Sequence, residues 1–222
     1  MTFVFITSLI VTLIYNFYRT ESIMKRPDNV FAQVFTPPGG GKTTLAADLV
    51  RNIIKDSEKN NKKVFSNVPI IGAYRFEIED LGKFEFKDCV LIIDEAGAKL
   101  SNRNWQHNLT LDQITTIKLH RHLNIDVWLF SQSYGDVDNK FRELTTGLYM
   151  LKKGILPFRI IAKAIKKNID LINGQIIEFF EWDRANFFKF WTVPNWAYFN
   201  TAQVEEKLPK KFFIKYKKID TF

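Results

Sequence analysis

The stretch Thr36-Pro37-Pro38-Gly39-Gly40-Gly41-Lys42-Thr43-Thr44 decides how this chain is read. An apolar run at residues 30–35 precedes it. A helical spacing of apolar residues follows it: Leu45, Ala46, Leu49, Val50, Ile53 and Ile54. Strand, glycine-rich turn, Lys-Thr and helix is the layout of a phosphate-binding loop. Glycines let the backbone curl closely around phosphates with its N–H groups pointing inward. Pro38, Gly39, Gly40, Gly41, Lys42, Thr43 and Thr44 are therefore the candidate nucleotide-binding residues. Lys42 would reach the β- and γ-phosphates of ATP, and the Thr43 hydroxyl would ligate Mg²⁺. The fit to G-x-x-x-x-G-K-[ST] has one departure, since Thr36 stands at the first glycine position. Pro37-Pro38 also removes two backbone donors.

A second motif agrees with the loop. Val90-Leu91-Ile92-Ile93-Asp94-Glu95 is an apolar run closed by two acids, the pattern of a fully buried parallel strand. At its carboxyl end Asp94 is the candidate second Mg²⁺ ligand, and Glu95 the candidate general base for an attacking water. A third run, residues 125–130, ends in Ser131-Gln132-Ser133. Ligands of open α/β sheets bind beyond the carboxyl ends of strands, so Gln132 or Ser131 is placed to contact a γ-phosphate or orient the lytic water. Polar residues close many strands that do no chemistry. The order of these three motifs in one chain is what favours the functional reading.

Composition frames the rest. The chain has 222 residues, enough for one α/β domain and an appendage, and 46% hydrophobic residues, enough for a full core. Cys89 is the sole cysteine, so no intramolecular disulfide forms; a small core residue is the plainest role for it. His107, His120 and His122 have no cysteines at metal-ligand spacing, which argues against structural zinc. The net charge of +8 is concentrated late, in Lys207, Lys210, Lys211, Lys215, Lys217 and Lys218, interleaved with Phe212, Phe213 and Tyr216. Such a mixture suits nucleic acid, an anionic membrane surface, or simply a solvated tail.

Residues 2–18 carry no charged side chain. As a helix they would span about 26 Å, slightly short of a hydrocarbon core of about 30 Å. Arg19, Lys25 and Arg26 follow, and positive charge on that side keeps the remainder of the chain in the cytoplasm. Residues 1–20 are therefore expected to form a single-pass anchor in a host inner, or cytoplasmic, membrane. The alternative is a hydrophobic helix docked on the protein or on a partner.

The expected fold is an α/β P-loop NTPase with a mostly parallel sheet, an N-terminal hydrophobic helix and a small β-rich C-terminal extension. The core is expected over 28–152, and the extension with its basic tail over 153–222. Strands are expected at 30–35, 63–67, 90–93, 125–130 and 148–151, with helices at 42–59, 109–122 and 137–144. Residues 70–87 read as an irregular crossover. In the extension, 158–165, 169–172 and 175–182 read as strands, with Asn173-Gly174 as a hairpin turn.

Taken together, the motifs resemble the zonula occludens toxin-like ATPases, filamentous-phage morphogenesis proteins related to the FtsK–HerA class of DNA pumps. The residues that carry the resemblance are Phe65-Ser66-Asn67-Val68-Pro69, Leu91 to Ala96, Arg121-His122, Ser131-Gln132, Asp136-Val137-Asp138, Phe141-Arg142 and Tyr198-Phe199-Asn200-Thr201. The resemblance implies a membrane-associated ATPase that drives extrusion or packaging of a phage genome, with single-stranded DNA and other phage assembly or coat proteins as partners. It also implies a homo-oligomeric ring in which a neighbouring subunit supplies an arginine to the transition state. Arg121 and Arg142 are the candidates, with Arg103 behind them. The hydrophobic segment here precedes the core, where family members often carry it after, and no toxin-like activity is expected. Two other readings stand beside this one: a DNA translocase of a conjugation or other packaging system, and a nucleotide-gated membrane scaffold without motor activity.

Overall fold

The computed structural model describes residues 30–60, 62–100, 110–155, 157–172 and 175–199. Strands β1 (Phe31–Phe35), β2 (Lys63–Ser66), β3 (Tyr74–Arg75), β4 (Cys89–Ile93), β5 (Ile125–Ser131), β6 (Gly147–Lys153), β7 (Arg159–Ile172) and β8 (Gln175–Trp191) form one sheet in the order β3-β2-β4-β5-β1-β6-β7-β8. The pairs from β3 to β6 are parallel, and β7 and β8 add antiparallel. Helices α1 (Lys42–Asn60), α2 (Ala96–Lys99), α3 (Leu111–Lys118) and α4 (Asn139–Leu144) connect the parallel strands. The expected α/β fold with a mostly parallel sheet is the one observed. The N-terminal hydrophobic segment and the basic tail lie outside the described residues. Among the described residues no helix is long and apolar enough to cross a membrane.

Period-two alternation sends the strands' side chains into two cores. Ala32 and Val34 of β1, Val90 and Ile92 of β4, and Trp128 and Phe130 of β5 face α1, meeting Leu45, Leu49 and Val50. Phe31, Leu91, Ile93, Val127 and Leu129 face the other way, against Phe76, Phe86, Ile117 and Phe141. Burial on both faces is why β4 is apolar at every position. Cys89 belongs to this core, and burial pushes its thiol up to about 12, far from a reactive thiolate.

Two polar links tie distant segments to α1 and β1. Asp48, buried on α1, accepts from Arg51 (2.8 Å), from Asn52 (2.9 Å) and from Asn195 (3.1 Å) in the 3-10 turn Val193–Tyr198. Tyr198 and Phe199 then pack on the α1 core, so this part of the closing Tyr198-to-Thr201 motif covers the first helix. Asp126 accepts from the Val30 N–H (2.9 Å) and pairs with Lys62 (2.9 Å), fixing the start of β1.

The extension differs from its expected form. The expected breaks within it are absent, and β7 runs unbroken from Arg159 to Ile172 while β8 continues to Trp191. Their register shifts between Lys163 and Ile165: Lys163 pairs with Phe187, and Ile165 with Trp182. A bulge absorbs the extra residues of β8, so the polar run after Trp182 interrupts the ladder without ending the strand. The expected Asn173-Gly174 turn lies outside the described residues, and Ile172 pairs with Gln175 on either side of it. The expected division at residue 152 falls inside β6, whose partner β7 belongs to the same sheet, and Ile160, Ala162, Phe188 and Phe190 share the α1 core. Strand β3 falls within the expected crossover because two residues carry no periodicity.

His120 closes α3 beneath β1. It is buried, its ring meets the Phe31 ring edge-on at 5.3 Å, and Nδ1 lies 2.9 Å from the Ile117 carbonyl. Nδ1–H donates to that carbonyl, which leaves Nε2 bare and buried. Burial lowers the pKa of this imidazole from 6.5. Its folded value therefore lies below its unfolded one, so its contribution to stability is complete above the unfolded value and is lost as pH falls below it. Urea midpoints should drop between about pH 8 and about pH 5.5, and His120→Phe should reduce that drop. An equal acid-side loss in the variant would assign the titration to another group.

Candidate nucleotide-binding site

The loop after β1 is shaped by the residue that departs from its pattern. Thr36 is buried. Its N–H donates to the Ser131 carbonyl (3.3 Å) and its hydroxyl to the Leu151 carbonyl (3.3 Å), pinning the loop's base to β5 and β6. Beside that side chain only glycine fits at residue 40, because a Cβ there would lie 2.1 Å from Thr36 Oγ1 and 2.9 Å from the Pro37 carbonyl oxygen. Gly39 and Gly41 have φ of 73° and 94°, which L side chains rarely adopt. A Gly40 N–H to Pro37 carbonyl bond (3.0 Å) tightens the turn, and the Leu45 N–H to Gly41 carbonyl bond (3.0 Å) starts α1. The Lys42 ammonium donates back to the Thr36 carbonyl at 3.3 Å, across the mouth of the loop.

Strand order brings the other motifs to this loop. β5 lies between β1 and β4, so the carboxyl ends of three adjacent parallel strands carry Thr36, Ser131-Gln132 and Asp94-Glu95. The Thr43 hydroxyl donates to Asp94 Oδ2 at 3.4 Å. Asp94 is buried, and burial raises its pKa above the usual carboxylate range; the Glu95 N–H (2.8 Å to Oδ1), Lys42 and Thr43 oppose that rise. Mg²⁺ is a hard cation that takes oxygen ligands. A hydroxyl and a carboxylate converging at one edge of the sheet, with an ammonium nearby, fit it. Glu95 has φ of 53°, an unusual value for a non-glycine residue, and its side chain is exposed at the start of α2.

Two residues beyond the expected set position these groups. Asn67, just after β2, grips Asp94 from both sides of its backbone: it donates to the Asp94 carbonyl (2.9 Å) and accepts from the Asp94 N–H (2.7 Å). Nothing in its spacing marked it for that task. Gln33 is buried in β1 and donates to the Tyr134 carbonyl (3.1 Å), holding the turn that follows Gln132. A lone amide within an apolar run is the signal that identifies it. Of the pair at the end of β5, the Ser131 hydroxyl is committed to the Ser133 carbonyl (2.8 Å), and Gln132 is exposed.

The arginines separate. Arg142 lies on α4, its guanidinium 4.9 Å from the centre of the Tyr134 ring and bonded to Asn139. It is thus close to the Gln132 turn. Arg121 is exposed in the turn before β5, at the amino end of a seven-residue strand about 23 Å long, on the opposite edge of the sheet from Gln132. Arg103 lies outside the described residues.

The Thr36–Gly40 contact makes a specific prediction. Gly40→Ala should weaken ATP binding by about tenfold or more, the scale of a 1–3 kcal/mol overpacking strain. Thr36→Gly in the same chain should recover part of that loss in a binding titration. Additive losses would show that the two residues do not constrain each other.

The Zonular occludens toxin (Zot) family matches residues 71–178, just under half of the chain. The match takes in Asp94, Glu95, Arg121, Gln132 and Arg142 and begins after the glycine loop. Among solved structures, the chain is similar to the N-terminal domain of zonular occludens toxin from Neisseria meningitidis, at 16% identity and a TM-score of 0.47, covering 71% of this chain and 96% of that one. It is also similar to the genome packaging NTPase B204 of Sulfolobus turreted icosahedral virus 2, at 11% identity and a TM-score of 0.43, covering 68% and 96%. A KaiC-like protein of Pyrococcus horikoshii OT3 aligns at 11% identity and a TM-score of 0.41, covering 69% and 90%. No curated protein matches the chain by sequence. Over residues 71–178 the chain is similar to the Zot family, and that stretch lies within an α/β fold with a mostly parallel sheet.

Proposed function

We propose that this chain is a membrane-associated ATPase that powers DNA extrusion or packaging during filamentous-phage assembly, acting as a homo-oligomeric ring. The observation that carries the ATPase reading is the convergence of Lys42, Thr43 and Asp94 at the carboxyl edge of the sheet, with Gln132 on the intervening strand. The Zot match supports the phage-assembly part.

The residues divide the chemistry between them. Backbone N–H groups of residues 39 and 41–44 and the Lys42 ammonium bind the phosphates and offset their charge. Thr43 and Asp94 would hold Mg²⁺, which when bound neutralises charge on the β- and γ-phosphate oxygens. Asn67 keeps Asp94 in place. Glu95 accepts a proton from the attacking water, and Gln132 orients that water against the γ-phosphate. The γ-phosphorus gains the water oxygen as its bond to the β–γ bridging oxygen breaks, giving ADP and phosphate. An arginine of a neighbouring subunit stabilises the charge that develops, with Arg142 and Arg121 as candidates.

Glu95→Gln should bind ATP and lose hydrolysis by about 10²–10⁴-fold, the usual loss on removing a general base. Arg142→Ala, or Arg121→Ala if that arginine is the one that acts, should be inactive alone. Mixed with the Glu95→Gln protein it should regain partial turnover, because some interfaces then pair an intact base with an intact arginine. Normal turnover by strict monomers would sink the ring. ATP binding without DNA-stimulated turnover would favour the scaffold.

The membrane assignment has its own test. Full-length protein should pellet with membranes after carbonate washing, and deletion of residues 2–18 should release it. A soluble intact chain would favour a hydrophobic segment docked on protein.

A further inference from the structure

Past the bulge, residues 165–172 and 175–182 pair as a two-stranded arm that folds back towards the nucleotide site. The Phe180 ring meets the Tyr134 ring at 4.9 Å. Phe180 and Trp182 wall a cleft of about 440 Å³ whose other side includes Phe35, Pro37, Gln132 and Met150. A second cleft of about 310 Å³ adjoins it through Trp182 and is lined by Lys163, Phe187 and Lys189. The surface is aromatic and cationic together. Lys152 and Lys163 place their ammonium groups 4.5 and 5.4 Å from the centre of the Trp182 ring, and Lys189 sits 5.1 Å from that of Phe187. Phe180 and Trp182 are 46% and 44% exposed, well beyond what a buried role requires. Among the described residues no carboxylate pairs with Lys152, Lys163 or Lys189. The carboxylates that line the two clefts are engaged by other residues: Glu181 accepts from Asn168 at 3.0 Å, and Asp183 pairs with Lys166 at 3.2 Å.

We infer that this face is a binding track for single-stranded nucleic acid, with Trp182 as a base-stacking platform and Lys152, Lys163 and Lys189 as phosphate contacts. Exposed rings with ammonium groups that no carboxylate holds are what a sequence-tolerant strand requires: every base offers a π-face, and every linkage offers an anion. Flexible lysine stems can follow the phosphate while the ring takes the base. The concave shape favours a strand over a bilayer, which would be met by a protruding tip. The identity of the ligand rests on the DNA-directed reading proposed above; the surface itself does not. The track shares Pro37 and Gln132 with the nucleotide site, so the two ligands would meet across one wall.

The test is oligothymidylate binding by the full chain in detergent, followed by anisotropy at several salt concentrations without ATP. Trp182→Ala should weaken binding by about tenfold or more, while Trp182→Phe, which keeps a ring, should restore most of it. Lys163→Ala with Lys189→Ala should lower the slope of log affinity against log salt by about 1.4, two phosphates' share on a single strand. All variants keep the lysines at 210–218, so a loss reads on this face. If the folded variants bind as the parent does, the inference falls and the DNA-directed ATPase stands. If the parent hydrolyses ATP but binds no oligonucleotide, the DNA reading falls with it. Phosphatidylserine vesicles serve as the remaining probe: binding that depends on Trp182 with vesicles and not with DNA would overturn the inference in favour of a membrane contact.

Discussion

A carboxylate buried at the end of an apolar strand constrains the whole carboxyl edge of this protein. Burial of Asp94 opposes its ionisation, and a buried charge persists only where neighbours compensate. Those neighbours come from different parts of the chain. Asn67 of the β2 end holds its backbone, Thr43 of α1 donates to its side chain, and Lys42 supplies the opposing charge. Each contact requires β2, β4 and α1 in a fixed relation, and the parallel register supplies it. A slip of one residue in β4 would turn Asp94 to the other face and put an apolar side chain in its place.

Thr36 shows how the loop tolerates a departure from its own pattern. The first glycine of such loops allows a tight turn. Here the turn is made by a side chain tied to β6, and the need for a glycine passes to residue 40. The extension takes part as well: a Cβ on Gly41 would lie 2.2 Å from the Ile160 side chain of β7. The antiparallel strands therefore support the nucleotide loop from the side, and the sheet edge and the loop must have been shaped together.

Much of this was legible in the sequence because the informative signals are local. Three glycines before Lys-Thr, an apolar run ending in Asp-Glu, and an apolar run ending in Ser-Gln specify three parallel strands and the contents of their carboxyl ends. Their adjacency was not legible, since the order β4-β5-β1 arises from packing across the sheet and leaves no mark on any one strand. Asn67 stands in the motif at 65–69, but its task was not legible for the same reason: its partner Asp94 lies 27 residues away at the end of another strand. The long reach of β7 and β8 was hidden by polar residues that read as a break and prove to be a bulge. Arg121 and Arg142 sit on either side of one strand in sequence, yet that strand separates them by its full length.

The walls of the candidate site and of the aromatic cleft meet at one turn. Gln132 sits at the end of β5 with its turn held from below by Gln33, and its other side faces the cleft closed by Phe180 and Trp182. A close-packed interior transmits displacement because it cannot compress. The Tyr134 turn follows Gln132 directly in the chain, and the ring contact between Tyr134 and Phe180 joins that turn to the arm. The Arg142 guanidinium lies 4.9 Å from the centre of the same Tyr134 ring, which ties α4 to that turn. Tyr134 is thus the residue at which β1, α4 and the aromatic arm meet beside Gln132. Its carbonyl accepts from Gln33, and its ring meets both Phe180 and the Arg142 guanidinium, so one short turn joins three parts of the fold.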